Sequence, residues 1–250
     1  MDLAHDWHIL ELNGGCVEPG TPLIFRLPPA VGYADAQIDD YGRRGGAFRW
    51  QPGTTLSLRA RFSHDVGTLQ GTAGFGFWNA PYGDPSRRRP ALPQAAWFFF
   101  ASQPSDLPFA PVESGRGWFA ATIDAGRPTA LTLIPLAPAV LILNQFTAAR
   151  RRVWPAVRRW LGIHAAQITA TMTAWHDYRL EWRINGVRFL IDGEVILKTP
   201  VAPRGPLGFV CWLDNQYLVL TPRGRFGAGT LRTRDEQWME IADLQLELGN

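Results

Sequence analysis

Two neighbouring segments near the C-terminus constrain the fold more than any other part of the sequence. Residues 175–182 read W-H-D-Y-R-L-E-W, and residues 187–191 read V-R-F-L-I. Polar and apolar side chains alternate along the first segment, which is typical of a β-strand. Asn185-Gly186 lies between the segments and Asp192-Gly193 follows the second. Because both dipeptides favour tight turns between antiparallel strands, the sequence predicts a β-hairpin closed by a second turn.

The rest of the chain has the same character of short strands. Its 25 glycines and 20 prolines are spread along the sequence, which favours short strands over long helices. Residues 55–62 and 240–247 alternate, whereas 96–101 and 207–213 are continuously apolar, as strands buried on both faces are. The sequence therefore predicts an all-β fold, an antiparallel β-sandwich or jelly roll. A length of 250 residues suits one domain spanning residues 1–250.

The hairpin motif, W-H-x-Y-x-x-E-W followed by V-x-F-x-x-D-G, resembles the concanavalin A-like lectin/glucanase superfamily. Within it, the closest likeness is to glycoside hydrolase family 16. The likeness covers roughly residues 33–248, and its parts come in the family's order. Those parts are a strand pair ending in Phe77-Trp78, the hairpin, a Pro- and Gly-rich strand at 203–208, and a terminal strand at 238–246. The resemblance implies a concanavalin A-like jelly roll and a carbohydrate as the partner.

The family resemblance also implies a catalytic strand, E-x-D-x-x-E, between these parts. Retaining hydrolysis needs two carboxyl groups about 5–5.5 Å apart, and alternate residues of a strand share a face. The corresponding residues 96–102 read A-W-F-F-F-A-S and hold no carboxylate. Related spacings elsewhere, none on a convincing central strand, are Asp35 with Asp39 and Asp40, Asp235-Glu236 with Glu240, and Asp2 with Asp6. We therefore expect no family-16-type glucanase activity.

Three carboxylates are candidates for relocated catalytic acids: Asp39, Asp40 and Asp214. Neighbouring residues of a strand point to opposite faces, so at most one of Asp39 and Asp40 can enter a cleft. A loop or turn pair is the alternative for these two. Asp214-Asn215-Gln216-Tyr217 follows an apolar strand, and its polar groups suit the recognition of hydroxyl groups. A structural turn is the alternative there.

Aromatic residues are abundant, with 11 tryptophans and 14 phenylalanines. Such residues either fill a thick core or line a cleft. We expect a concave face that carries aromatic rings in place of acids and that binds a carbohydrate or an apolar small molecule. The candidate ligand-binding residues are Trp78, Trp97, Phe99, Trp212, Asp214, Asn215 and Tyr217. The strand register decides which of them face the core instead.

Residues 145–165 interrupt the strand pattern and predict a short helical insertion. Pro155 suits a first helical turn and Gly162 a helix stop. Val153, Val157 and Trp160 are predicted to share one face, with arginines off it. A basic amphipathic helix of this kind over Val153–Leu161 suits a peripheral membrane contact. The alternative is a helix that packs over one end of the sandwich.

The remaining composition excludes several functions. The net charge is only +3 and no basic stripe is interleaved with aromatics, so no nucleic-acid partner is expected. The only cysteines are Cys16 and Cys211, which we expect to be free thiols. No residues have metal-ligand spacing and no phosphate loop is present, so we expect no metal and no cofactor. The first residues lack a signal-peptide pattern, which predicts a cytoplasmic location.

Three functional classes remain open. The favoured one is a non-hydrolytic carbohydrate- or small-ligand-binding protein on a glucanase-like scaffold. The second is a glycoside-processing enzyme with relocated acids, and the third is an enzyme or binder for a lipophilic, membrane-associated ligand. Two observations discriminate among them: the faces that residues 97–100 occupy, and whether two carboxyl groups converge in a cleft.

Overall fold

A computed structural model describes residues 7–41, 48–81, 91–109, 115–133 and 135–249. Within these ranges the chain forms sixteen strands and three helices. The strands are β1 His8–Leu12, β2 Cys16–Glu18, β3 Leu23–Leu27, β4 Asp35–Asp39, β5 Thr54–Phe62, β6 Thr72–Trp78, β7 Gln94–Ala101, β8 Gly117–Asp124, β9 Ile163–Gln167, β10 His176–Arg183, β11 Gly186–Ile191, β12 Glu194–Thr199, β13 Gly208–Asp214, β14 Gln216–Leu220, β15 Phe226–Thr230 and β16 Gln237–Leu248. The helices are α1 Pro128–Leu131, α2 Ala137–Gln145 and α3 Thr147–Trp160.

Two seven-stranded sheets pack face to face. The first has the order β1-β4-β13-β6-β7-β8-β9 and the second the order β12-β11-β10-β5-β16-β3-β2, while β14 and β15 form a separate hairpin. All pairings between these strands are antiparallel. The architecture confirms the predicted all-β jelly-roll sandwich. The face of the first sheet that points away from the second sheet is called the outer face below.

The main core lies between the sheets and is built from alternate residues of each strand. On β7, Phe98 and Phe100 point into this core, whereas Trp97 and Phe99 point to the outer face. All four side chains are buried. Both faces of β7 are therefore covered, as its continuously apolar sequence predicts.

Two glycines of β6 let large aromatic side chains lie directly on the backbone of the first sheet. A Cβ atom on Gly74 would lie 2.3 Å from the Phe98 carbonyl oxygen and 2.8 Å from Cη2 of Trp212. At Gly76 the φ angle is +149°, and a Cβ atom would lie 2.6 Å from Cα of Trp97. Only glycine fits at either position.

The predicted hairpin is present, with its first turn one residue earlier than expected. β10 and β11 pair from Tyr178–Ile191 to Arg183–Gly186, so the two-residue loop is Ile184-Asn185 rather than Asn185-Gly186. The second turn is Asp192-Gly193 as predicted, and both residues have positive φ angles, 51° and 82°. A turn of this type matches the twist of the strands that it joins.

Two residues of the hairpin motif, Trp182 and His176, have structural roles. Trp182 is fully buried and its Nε1 donates to the carbonyl oxygen of Pro203 at 3.0 Å. Nδ1 of His176 lies 2.6 Å from Oδ2 of Asp192, and its Nε2 lies 3.0 Å from the carbonyl oxygen of Thr171. His176 thus ties the second turn of the hairpin to the preceding loop.

The helical insertion is larger than the sequence predicts. α3 ends before Gly162, which has a φ of +64° and acts as the expected stop. Pro155, however, lies inside α3 rather than in its first turn, because the helix already begins at Thr147. α2 was not predicted. Pro138 occupies its first turn, where no backbone donor is needed.

The buried face of α3 differs from the predicted one. Trp154, Val157 and Arg158 are buried, whereas Trp160 is 44% exposed. Arg158 is turned inward because its Nη2 donates to the carbonyl oxygen of Phe109. The apolar face that was a candidate membrane contact therefore packs against the protein, and Val153–Leu161 does not present an apolar stripe to solvent.

Two further expectations concern thiols and membrane spans. Cys16 and Cys211 are both free, as predicted. None of the helices in the described ranges has the length and apolar character needed to cross a bilayer.

Truncation of the central core ring should strongly destabilise the fold. Phe98 is fully buried between sheets and its ring lies 5.1–5.4 Å from those of Phe75, Tyr178 and Phe189. We expect Phe98→Ala to lower the free energy of unfolding by about 3–5 kcal/mol, because it leaves a cavity. Denaturant titration followed by tryptophan fluorescence measures this. The matched control Phe226→Ala removes a ring that is 76% exposed and should change stability by less than about 0.5 kcal/mol. Equal losses in both variants would contradict the packing described here.

Candidate functional site

Carboxylate and amide side chains line one part of the outer face of the first sheet. On β4, Ala36 and Ile38 point into the main core, so Asp35, Gln37 and Asp39 point outward. Next to β4 lies β13, where the register pairs Asp214 with Asp35. We call Tyr33, Asp35, Gln37, Asp39 and Asp214 the acidic strip.

The cross-strand pair Asp35–Asp214 brings two carboxyl groups together. Residues directly opposite each other in antiparallel strands have Cβ atoms roughly 4.5–5.5 Å apart. Both side chains are buried, at 2% and 7% exposure. Like charges at this spacing oppose each other's ionisation, so at least one of the two carboxyl groups favours the protonated form near neutral pH.

Asp35 has the less satisfied carboxyl group. Its Oδ2 accepts a 2.7 Å hydrogen bond from the hydroxyl of Tyr33. Its Oδ1 is buried and has no hydrogen-bond partner among the described residues. Burial, and then the charge of Asp214, raises the pKa of Asp35 to about 7. Such a group is unusual in a folded protein, because buried acceptors are nearly always paired.

Asp214 is held much more firmly. Its Oδ1 accepts from the backbone N–H of Thr72 at 3.2 Å, from Thr72 Oγ1 at 2.8 Å and from the N–H of Gln216 at 2.9 Å. Burial raises its pKa to about 6, while these donors act in the opposite direction. Thr72 Oγ1 in turn accepts from Nε1 of Trp212 at 2.9 Å. A chain of hydrogen bonds therefore connects Trp212 to this carboxyl group.

Asp39 closes the other end of the acidic strip. Its Oδ2 accepts from Nε2 of Gln37 at 2.7 Å and lies 3.2 Å from Nδ1 of His8, and its Oδ1 accepts from the N–H of Tyr41 at 2.9 Å. Asp40 points the other way, as strand geometry requires. Its two oxygens accept from Nε1 of Trp50 at 2.6 Å and from the N–H of Phe209 at 2.7 Å. Asp40 is therefore engaged in holding the sheet together and lies outside the acidic strip.

The four aromatic candidates of the sheet form one cluster beside the acidic strip. The rings of Trp78 and Trp97 are stacked, with centroids 4.6 Å apart. The Trp97 ring lies 5.1 Å from Phe99 and 5.7 Å from Trp212. These four residues are called the aromatic cluster. The sequence thus selected residues that meet on one face.

The aromatic cluster is covered rather than open. Trp97, Phe99 and Trp212 are only 7%, 9% and 7% exposed, and Trp78 alone is half-buried. The segment after β7 lies over them with Leu107 and Phe109, together with Leu218 from β14. Backbone bonds from Asp106 N–H to the Leu218 carbonyl and from Leu220 N–H to the Asp106 carbonyl hold this cover in place. The expected open aromatic groove is therefore, in the main, a second small core.

Two of the predicted polar residues have other surroundings. The side chain of Asn215 is fully buried: its Oδ1 accepts from the N–H of Ala34, and its Nδ2 donates to the carbonyls of Gly32 and Leu231, at 2.7–2.9 Å. Both polar atoms of its side chain are therefore bonded to backbone groups that lie close to strand ends. Tyr217 lies on the face of β14 opposite Leu218, with its ring against Gly229. It faces away from the aromatic cluster.

A separate cleft of about 800 Å³ opens at one end of the sandwich. Its lining is polar and includes His64, Gln103, Arg116, Gln167 and Arg234. The cleft does not include the acidic strip. It is large enough for a small ligand, but the described side chains offer no buried unpaired group there. We call it the end cleft.

Sequence reasoning missed three of the five residues of the acidic strip. Tyr33, Asp35 and Gln37 were not selected, although the alternation D-A-Q-I-D at residues 35–39 was visible. Polar residues at a two-residue period ordinarily indicate a solvent-facing strand edge. The pairing of Asp35 with Asp214, 179 positions later, had no local signal. Within the described ranges, no three His, Cys, Asp or Glu side chains form a group that could hold a metal ion.

Neutralising Asp35 should stabilise the protein in alkaline solution. An unfolded Asp ionises near pH 4, whereas burial keeps folded Asp35 protonated up to about pH 7. Stability therefore falls as pH rises from about 4 to about 7, because the unfolded chain releases the proton first. We expect Asp35→Asn to raise the melting temperature at pH 8, by roughly 2–4 °C for each kcal/mol gained, and to leave it unchanged at pH 4. The exposed control Asp235→Asn should show neither effect; a lower melting temperature for Asp35→Asn at pH 8 would contradict the assigned burial.

Comparison with known proteins assigns neither a family nor a functional site to this chain. No protein-family model matches the chain, and no curated protein matches it. Among solved structures, the carbohydrate recognition domain of Emp46p in its potassium-bound form is 10% identical with a TM-score of 0.49, over 99% of this chain and 90% of that one. An uncharacterised protein from Mycobacterium paratuberculosis is 11% identical with a TM-score of 0.49, over 96% and 91%. The GlcNAcα1-4Gal-releasing endo-β-galactosidase from Clostridium perfringens is 13% identical with a TM-score of 0.48, over 94% and 57%. Similarity at this level transfers no functional residue to this chain.

Proposed function

We propose that this protein binds a neutral carbohydrate without hydrolysing it, and that the ligand contacts the acidic strip. The observation that carries the proposal is the Oδ1 atom of Asp35, a buried acceptor without a partner among the described residues. A buried acceptor left unpaired costs roughly 1–3 kcal/mol. A hydroxyl group of a ligand would recover that energy, which favours binding at this atom.

The surrounding groups suit a polyhydroxylated ligand. Tyr33, Gln37 and Gln216 are half-buried, so each is partly accessible next to Asp35 and Asp214. A carboxylate accepts from hydroxyl groups, and an amide both donates and accepts. A few convergent polar groups beside an apolar surface are the usual composition of a small-molecule site.

The charge of the strip favours a neutral ligand over an anionic one. Asp35 and Asp214 form no ion pair with arginine or lysine in the described part of the chain, and Asp39 is paired only with His8. Carboxylates that lack a cationic partner repel phosphates, sulfates and uronates. Sugar hydroxyl groups carry no such penalty.

The aromatic cluster has a supporting role in this proposal. Trp97, Phe99 and Trp212 are covered and hold the sheet surface rigid, while the Trp212–Thr72–Asp214 hydrogen bonds fix one carboxyl group of the strip. Only Trp78 retains enough exposure to stack on a sugar ring. A sugar cannot stack on Trp97, Phe99 or Trp212 as expected from the sequence. In this proposal it is recognised by hydrogen bonds to the polar side chains of the acidic strip.

Binding should depend on the acidic strip and can be measured by calorimetric titration with mixed-linkage and β-1,3-linked gluco-oligosaccharides. We expect Asp35→Ala or Gln37→Ala to weaken binding roughly tenfold or more, because each removes hydrogen bonds worth about 1–2 kcal/mol. The control Asp235→Ala removes an exposed carboxylate at the rim of the end cleft and should bind normally.

Two results would overturn this assignment. Loss of binding in Arg116→Ala or Gln167→Ala, with Asp35→Ala unaffected, would move the ligand to the end cleft. Saturable binding of a fatty acid or detergent, with no response to any oligosaccharide, would replace the carbohydrate by an apolar ligand. Thermal melting of each variant separates lost binding from lost folding.

Glycoside cleavage by the same strip is the second candidate. The observation that favours it is the pair of buried carboxyl groups whose pKa values are raised to about 7 and about 6. Different pKa values in two neighbouring carboxyl groups suit an acid and a base. The firm engagement of Asp214 Oδ1 by three donors argues against its action as a nucleophile.

A reducing-sugar assay separates the two candidates. With mixed-linkage and β-1,3-glucans as substrates, we expect no reducing sugar above the buffer control across pH 5–8, a range that spans both raised pKa values. Hydrolysis that disappears in both Asp35→Asn and Asp214→Asn would make cleavage the function of the strip. Hydrolysis that survives both changes would contradict both candidates.

A further inference from the structure

α2 presents apolar side chains to solvent. Leu141, Ile142 and Leu143 follow one another on the helix and are 43%, 63% and 44% exposed. Phe146, in the link to α3, is 64% exposed. α2 contains no charged residue at all. Contiguous apolar side chains on the outside of a protein mark an interaction surface.

The tip of the β14–β15 hairpin extends this surface. Nδ2 of Asn144 donates to the Pro222 carbonyl and Nε2 of Gln145 to the Arg223 carbonyl, both at 3.0 Å. Leu141 packs against Gly224. Phe226, at the start of β15, is 76% exposed. We call Leu141, Ile142, Leu143, Phe146 and Phe226 the α2 surface.

Positive charge is concentrated in the two chain segments that carry the α2 surface, although Arg158 points inward and Arg234 lines the end cleft. Residues 125–162 contain six arginines and no Asp or Glu, and residues 215–234 contain four arginines and no Asp or Glu. These two segments carry ten positive charges, whereas the whole chain has a net charge of only +3. Arg151, Arg152, Arg223 and Arg225 are exposed. The link between α2 and α3 is held in place by Arg150, whose Nη1 donates to the Asn144 carbonyl at 3.1 Å.

We propose that the α2 surface is a docking site for an anionic lipid bilayer, with its apolar side chains inserted among the acyl chains and its arginines on the headgroups. An apolar face bordered by arginines is the combination that interfacial membrane binding requires. α2 has nine residues, so it is about 13.5 Å long against a hydrocarbon core of about 30 Å. The helix therefore lies in the plane of the interface. The contact lies on α2 and the hairpin tip, and not on the inward-facing residues of α3.

Flotation of the intact chain with vesicles tests this docking. Phosphatidylcholine vesicles are compared with mixed phosphatidylcholine–phosphatidylglycerol vesicles at several salt concentrations. We expect binding to the mixed vesicles, weaker binding to phosphatidylcholine alone, and a decrease with salt as headgroup charges are screened. Changing Arg151 and Arg152 together to Gln should weaken binding roughly 25-fold, since each basic residue near an anionic surface contributes about fivefold.

A matched pair of isoleucine variants separates insertion from electrostatic adsorption. Ile142→Ser removes an inserted side chain and should weaken binding roughly tenfold, and the addition of Phe226→Ser should weaken it further. Ile184→Ser removes an equally apolar side chain, 88% exposed in the β10–β11 turn, and should leave binding unchanged. Insertion is overturned if Ile142→Ser with Phe226→Ser binds as well as the native chain, or if Ile184→Ser is equally impaired.

Other occupants of the α2 surface give different results. If a second copy of the chain covers it, light scattering will show a dimer that Ile142→Ser converts to a monomer, and vesicle binding will be absent. If an acidic protein is the partner, polyglutamate will bind as tightly as the anionic vesicles do. Either result would overturn the proposal. Oligosaccharide binding by Ile142→Ser should be unaltered, so failure here leaves the carbohydrate proposal standing.

Discussion

The packing of two indole rings directly on the backbone of β6 determines which side chains the outer face of the first sheet can accommodate. Gly74 and Gly76 leave the middle of β6, between Thr72 and Trp78, without side chains on the outer face. Trp212 and Trp97 lie in that space from the neighbouring strands. Large flat rings lie there on peptide groups rather than on other side chains. A second apolar layer can therefore form outside the sandwich, and the segment after β7 covers it. Any larger residue at either position would push both rings away.

This second layer changes the electrostatics of its neighbours. Trp212 fixes Thr72, and Thr72 fixes Asp214, so a carboxyl group next to the aromatic cluster is immobile and shielded from water. Asp35 lies opposite it with one oxygen unpaired. In water both groups would ionise near pH 4. In this position burial raises the pKa of both groups, and the charge of Asp214 raises the pKa of Asp35 further.

Local patterns predicted the parts of the fold that depend on neighbouring residues. The β10–β11–β12 turns, the burial of β7 on both faces and the stop at Gly162 all have signals within a few positions. α2 had no such signal, because its apolar sequence with prolines resembles a broken strand. Its contacts with Pro222–Gly224 and with α3 come from residues outside the segment. The pairing of Asp35 with Asp214 and the cover over Trp97 depend on residues far apart in the chain. No single-segment pattern encodes such contacts.

The uneven distribution of arginine has a consequence that the net charge conceals. Ten positive charges lie in the helices and the β14–β15 hairpin with its flanking residues, and the remainder of the chain carries an excess of negative charge. Positive charge is therefore in excess on α3 and on the β14–β15 hairpin, while acidic residues predominate in the rest of the sequence. In the field of any charged surface a molecule with such a charge distribution experiences a torque before it makes contact. Long-range electrostatic forces therefore orient the molecule before contact. Its exposed apolar side chains then already face the surface when the short-range contacts form.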